Sequence, residues 1–253
     1  MSRAAPVVVL PVPGLPMIEP GADLAALLCD AVAAVGLVTG DVVVVCQKVV
    51  SKAEGAVVAL ADVEPSAFAR EIAAQGSGTK DPRAVEVVLR EARRIVRMDR
   101  GHLIVETRHG WVCANAGVDE SNGVGPGVLT LLPRDPDASA ERLRAALAAR
   151  FAVEVAVVVT DTFGRPWREG LVEVALGCAG MDPQLDLRGR GDLHGHELHH
   201  TVVALADEVA AAAGLVMEKD SGVAAAIVRG VRWTPGTTGA RSLVRRPELD
   251  LFR

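Results

Sequence analysis

Apolar residues along this chain fall into two kinds of run. Short Val-rich stretches at residues 7–10, 41–50, 56–60, 103–107, 128–132, 153–160 and 224–229 read as strands. Between them, Leu24, Leu27, Leu28, Ala31 and Val35 recur at helical spacing, as do Val85, Val88, Leu89, Ala92, Ile95 and Val96. A third helix is expected from near Asp137 or Ser139 to Arg150. A fourth is expected from a cap near Thr201 to Gly214, where a glycine closes it. Strands do not alternate strictly with helices, because 41–60 reads as two neighbouring strands and the middle third as strands and turns. The pattern therefore predicts a mixed α+β fold rather than a doubly wound parallel sheet.

Composition narrows the field. A chain of 253 residues that is 50% apolar and 23% charged can bury a large core without a disulfide or metal staple. We read residues 1–253 as a single domain, with any division into two lobes left open. With 27 Lys+Arg against 32 Asp+Glu the net charge is −5, which argues against nucleic acid or an anionic membrane as partner. A phosphate site would have to be local. Pro6, Pro11, Pro13 and Pro16 interrupt the longest uncharged stretch, which excludes a spanning helix and a secretory signal there, so a cytoplasmic protein is expected. Cys29, Cys46, Cys113 and Cys178 are far apart, as buried reduced thiols would be.

Candidate chemistry gathers in a few segments. In 155–170, VAVVVTDTFGRPWREG, an apolar strand ends in Asp161 and Thr162, which offer hard oxygens to Mg²⁺ or Mn²⁺. Arg165 and Arg168 follow and can fork onto phosphate oxygens. The turn 115–122, NAGVDESN, places Asp119 and Asn122 where Asp119 can serve as a second carboxylate beside Asp161. In 47–55, QKVVSKAEG, Lys48 and Lys52 either neutralise phosphate or form the polar end of a strand. The loop 13–21, PGLPMIEPG, either clasps a planar base or is a rigid surface loop. His196-Glu197-Leu198-His199-His200 satisfies the zinc pattern H-E-x-x-H, which works only inside a helix. A zinc hydrolase using His196, Glu197 and His200 is the alternative it raises, although Gly189, Gly191 and Gly195 crowd the approach.

Taken together, GLPMIEPG, VVCQKVVSKAEG, KDPRAVEVVLRE, GWVCANAGVDESN, LLPRDPDASAERLR, VVVTDTFGRPWREG and ADEVAAAAGLV with IVRG resemble the coenzyme F420-0:L-glutamate ligase family. The resemblance spans nearly the whole chain and is most specific in TDTFGRPWREG and AGVDESN. It implies a GTP-dependent ligase, with Mg²⁺ or Mn²⁺, that adds L-glutamate to the deazaflavin phospholactate F420-0 or its dehydro precursor through an acyl phosphate. It also implies a mixed α/β fold in an intertwined homodimer. On the matching positions, it makes Asp119, Asp161 and Thr162 metal ligands. For the chemistry we expect Asp119, Asp161 and Lys52 to be catalytic, with Lys52 and one or both of Arg165 and Arg168 neutralising charge that develops in transfer. By the same resemblance, Leu15, Pro16, Met17, Ile18, Gln47, Lys48, Lys52 and Asn122 become nucleotide contacts. The chain departs from the family pattern at Cys46-Gln47-Lys48, where a polar triplet such as Thr-Ser-Lys is common. It departs again at Gly170-Leu171-Val172-Glu173, in place of Gly-Gln-x-Asp, and at Glu218-Lys219, in place of a Gly-Lys or Gly-Gln pair. A catalytically silent GTP-binding relative is the other alternative.

Overall fold

The computed structural model describes residues 6–75, 80–121 and 124–251. Strand β1 (Val8–Pro11) leads through a proline-rich loop to helix α1 (Leu24–Val35), whose first turn is capped by Asp23 accepting from the Ala26 N–H. Strand β2 (Val42–Cys46) passes without a loop into α2 (Gln47–Ala53), and β3 (Val57–Ala59) follows. Next come α3 (Ala67–Gln75) and α4 (Pro82–Glu91), the latter started by an Asp81 cap and a proline that loses no helical bond there. A meander β4 (Ala92–Asp99), β5 (His102–Thr107) and β6 (Val112–Ala114) precedes β7 (Val128–Thr130) and α5 (Pro136–Phe151). The long hairpin of β8 (Ala156–Arg165) and β9 (Arg168–Met181) comes next, then β10 (Leu185–Asp186) and β11 (Val202–Val203). Helix α6 (Leu205–Gly214), β12 (Ala225–Arg229) and β13 (Pro235–Gly236) complete the order.

The central sheet runs β1-β12-β2-β8-β9-β13, mostly antiparallel, with β2 and β8 parallel in the register Val42↔Ala156 to Cys46↔Thr160. Both faces are covered, which is why Val42 to Val45 and Ala156 to Val159 are all inaccessible. Val43, Val45, Val157 and Val159 pack with α1 and α5, through Leu28, Val32, Leu143 and Leu147. Val42, Val44, Ala156 and Val158 pack with Ala206, Val209 and Ala210 of α6. Gly177 is required where α5 begins: a Cβ there would lie 2.1 Å from the Pro136 carbonyl oxygen. A smaller layer puts α3 and α4 on the β4-β5-β6 sheet through Ile72, Val85, Val88 and Leu103.

The expectation of a mixed fold agrees with this sheet, but several elements differ. Residues 41–50 are not one strand. The chain turns helical at Gln47, because Val49, Val50 and Ala53 bury at helical spacing against the α1 and α5 layer. Strands β2 and β3 are not neighbours, since β3 pairs with β7 in a separate ribbon. The second helix ends at Glu91 rather than Val96; from Ala92 the chain pairs with β5, and Arg93 and Arg94 reach Glu106 across the ladder. Thr201 caps no helix, and α6 starts at Leu205. The strand at 153–160 continues to Arg165 and returns as β9, so the charged turn is a hairpin tip. Among the described residues, no helix is long and apolar enough to cross a membrane.

One ion pair ties the sheet's first half together. Asp41 is fully buried and accepts two bonds of 2.8 Å from Arg229 and one of 2.9 Å from the Val38 N–H. Arg229 is partly exposed and can return to water, whereas Asp41 cannot. Truncating Arg229→Ala should therefore cost about 3–5 kcal/mol in urea denaturation. Adding Asp41→Asn to that variant should recover part of the loss.

Candidate active site

Strands β2 and β8 are parallel, so their carboxyl ends meet at one edge of the sheet, where open α/β sheets place their crevices. The first turn of α2 carries Lys48 there, and β8 carries Asp161 and Thr162. The loop after β1 adds Leu15, Pro16, Met17 and Ile18. The segment entering β12 adds Glu218, Lys219 and Asp220, held close by a bond from the Cys46 N–H to the Ala224 carbonyl. The result is a cleft of about 320 Å³ whose walls also include Cys46, Val49, Lys52 and Glu173.

Asp119 arrives from another part of the fold. It exchanges backbone bonds of 3.0 and 2.8 Å with Thr130, extending the β3-β7 ribbon by one residue. Its carboxylate meets Lys48 Nζ at 2.6 Å and accepts from the Ser121 N–H and hydroxyl at 2.8 and 2.9 Å. Burial pushes Asp119 up, but the bonds from Lys48 and Ser121 outweigh it and hold the carboxyl below its ordinary range. Burial likewise pulls Lys48 down, and the bond to Asp119, with the charges of Asp119 and Asp161, restores it above an ordinary lysine.

Asp161 is the perturbed group. Desolvation first, then the charges of Glu173 and Asp119, push it up to about 7 against the Thr162 N–H bond and the charge of Lys48. Glu173 stands opposite Thr162 in the β8-β9 register and accepts from the Thr160 and Thr162 hydroxyls, each at 2.7 Å. Burial lowers the Lys52 ammonium, which is 4% exposed.

Of the residues predicted for the site, Leu15, Pro16, Met17, Ile18, Lys48, Lys52, Asp161 and Thr162 line one cleft, and Asp119 adjoins them through Lys48. Gln47 does not line it. That side chain is buried, with Oε1 accepting from Ser51 at 2.8 Å and Nε2 unpaired among the described residues. Asn122 lies outside the described residues. Arg165 and Arg168 sit at the exposed hairpin tip rather than in the cleft, and Arg165 donates to the Glu169 carbonyl at 2.6 Å. Glu173 was missed because the sequence reading ended the strand at Thr160, which hid its pairing with Thr162. The segment 196–200 is not helical, so His196 and His200 do not share a helix face and the zinc pattern is not formed.

Residues 14–230 match the family F420-0:Gamma-glutamyl ligase. The coenzyme F420:L-glutamate ligase of Methanothermobacter thermautotrophicus is 47% identical over 247 residues, covering 96% of this chain and 97% of that protein. The protein of the same name from Methanopyrus kandleri is 48% identical over 248 residues, covering 96% of each. That of Halobacterium salinarum is 48% identical, covering 96% of this chain and 94% of its own. The chain belongs to the F420-0:gamma-glutamyl ligase family.

Within that family's frame, the departures at Glu173 and Glu218-Lys219 both fall on the cleft wall. Glu173 for Asp lengthens a carboxylate without changing its charge, Glu218 for Gly adds a negative charge, and neither removes Asp119 or Asp161. Among the described residues no group of three or more His, Cys, Asp or Glu side chains is arranged to hold a metal alone. Asp119, Asp161 and the Thr162 hydroxyl offer hard oxygens of the kind that could hold a divalent cation together with phosphate.

A raised carboxyl favours the fold while protonated, so its contribution is full below an ordinary aspartate value and is lost as pH rises through about 7. In chelator and without nucleotide, Asp161→Asn should stabilise the protein at pH 8 by at least about 1 kcal/mol, or about 2–4 °C in Tm for this size. At pH 4 thermal unfolding should show little difference between the two proteins.

Proposed function

We propose that this chain, a coenzyme F420:L-glutamate ligase by family, uses GTP to couple L-glutamate to the carboxylate of a deazaflavin phospholactate. The observation that carries the reading is the joining of Lys48, Lys52, Asp161 and Thr162 in one cleft, with Asp119 bonded to Lys48. A carboxylate does not condense with an amine in water, because its oxide is a poor leaving group, so it must first be activated.

The acceptor carboxylate oxygen attacks the γ-phosphorus of GTP, the bond from that phosphorus to the bridging oxygen breaks, and GDP departs with an acyl phosphate left behind. The glutamate amine then attacks the acyl carbon, the carbon–oxygen bond to phosphate breaks, and inorganic phosphate and a proton are released. Leu15 to Ile18 form the apolar wall against which the base lies. Lys48 and Lys52 supply positive charge to phosphate oxygens, and the desolvated setting of Lys52 makes that charge more effective. Asp119, Asp161 and the Thr162 hydroxyl are the residues that would hold Mg²⁺ or Mn²⁺, which when bound neutralises charge on the phosphates. Lys48, already paired with Asp119, fixes the position of that carboxylate together with Ser121.

We further read the working unit as a homodimer. The β8-β9 tip supports this, with Trp167 81% and Leu171 60% exposed beside Arg165 and Arg168.

The test mixes protein, GTP, Mn²⁺ or Mg²⁺, L-glutamate and the deazaflavin acceptor, and follows glutamyl addition by mass spectrometry with GDP in matching amount. Asp161→Asn should abolish product while remaining folded. Lys52→Met should lower kcat at least about a hundredfold, since it removes charge aimed at the transferring group. Near-normal turnover by Asp161→Asn, or GTP binding by wild type without GDP release in the full mixture, would refute the mechanism.

A further inference from the structure

We infer that a second pocket, which has Asp119 in its wall, receives the ring system of the deazaflavin acceptor. This rests on the ligase reading and deepens it. The pocket encloses about 560 Å³, and Asp119 forms part of its wall. Ala84, Val85 and Val88 of α4, with Leu103 and Leu129, give it an apolar floor, Asn115 supplies an amide, and Lys80, Asp81 and Glu120 stand in the wall as well.

Three arguments converge on this occupant. In-line attack on the γ-phosphorus requires the acceptor to approach opposite the departing GDP, so the acceptor cannot share the cleft that the nucleotide fills. Asp119 is the wall common to the proposed reaction centre and this pocket, which lets a molecule lying in the pocket present its carboxylate at the centre. The pocket's charged members are Lys80, which donates to the Gly101 carbonyl at 2.6 Å, Asp81, which pairs with Arg83, and Asp119 and Glu120. With acids outnumbering the lysine and the rest of the wall largely apolar, the lining suits a flat, largely uncharged ring better than glutamate with its two carboxylates.

The backbone beside Asp119 supports the same assignment. Asn115, Ala116 and Gly117 all have positive φ, +52°, +56° and +69°. Two successive non-glycine residues in that region are costly, and they persist here because buried Ala116 is packed against Leu103. Asn115 has no place in the nucleotide cleft but lines this pocket, so the strained turn sets an amide where a ring's hydrogen-bonding edge would lie.

The experiment compares wild type with Ala84→Trp, which fills the pocket, and Asn115→Gly, which keeps the left-handed turn and removes the amide. Acceptor binding is read by the change in deazaflavin fluorescence without GTP, alongside KM for each substrate. We expect the Kd and KM of the acceptor to rise about tenfold or more, with KM for GTP within about twofold. Should Ala84→Trp fail to fold by circular dichroism, Ala84→Leu takes its place. A folded Ala84 variant with wild-type acceptor affinity would overturn the assignment. If wild type forms no glutamyl product, the ligase reading fails by itself, and acceptor binding to wild type and the variants still decides the pocket.

Discussion

Three carboxylates, Asp119, Asp161 and Glu173, are gathered around the end of a parallel strand pair, and the cost of desolvating them, increased by the repulsion between them, is the constraint on which the candidate site turns. Lys48 relieves it for Asp119 by direct contact, and the Thr160 and Thr162 hydroxyls relieve it for Glu173. Asp161 receives only a backbone bond and more distant charge, so it carries the residual cost as a raised affinity for a proton. A cluster that favours a proton at one carboxylate is one that a divalent cation and triphosphate can complete.

The fold serves this constraint by keeping the supporting strands rigid. Strands β2 and β8 are sealed on both faces, so neither Asp161 nor the start of α2 can relax away from its neighbour. Asp119 comes from the separate β3-β7 ribbon and is held by backbone bonds to Thr130. The proposed reaction centre thus draws on two packed units, with the Lys48–Asp119 pair between them. Gly214, at the end of α6, leaves room for Glu173: a Cβ there would approach its Cγ at 2.8 Å.

Much of the core was legible in the chain itself. Helix α1 follows from apolar periodicity because it buries one face, the span of α5 follows from its capping signals, and strands β1 and β12 follow from short apolar runs, β12 being buried on both faces. Misreadings cluster where a Val-rich run is compatible with either state. At 47–53 the same valines serve a helix, since packing on α1 and α5 outweighs β propensity. At 92–99 a helical pattern gave way to a strand, since pairing with β5 satisfies the backbone and places Arg94 on Glu106. The β9 strand, rich in Gly and charge near its start, has no strong signal of its own and exists because β8 offers it a partner.

The sequence by itself determined which side chains are available for chemistry, since motifs such as TDTFGRPWREG and AGVDESN record residue types at short range. It also determined that the chain buries a mixed core, because periodic apolar faces must be covered. Only the tertiary structure decided which of those side chains meet. It joined Asp119 to Lys48 across 70 intervening positions, brought Glu173 beside Thr162, turned Gln47 into the interior, and left Arg165 and Arg168 at a hairpin tip outside the cleft. The physical reason is that strand register and interlayer packing are collective. They place side chains from segments far apart in the chain, and no local pattern encodes that separation.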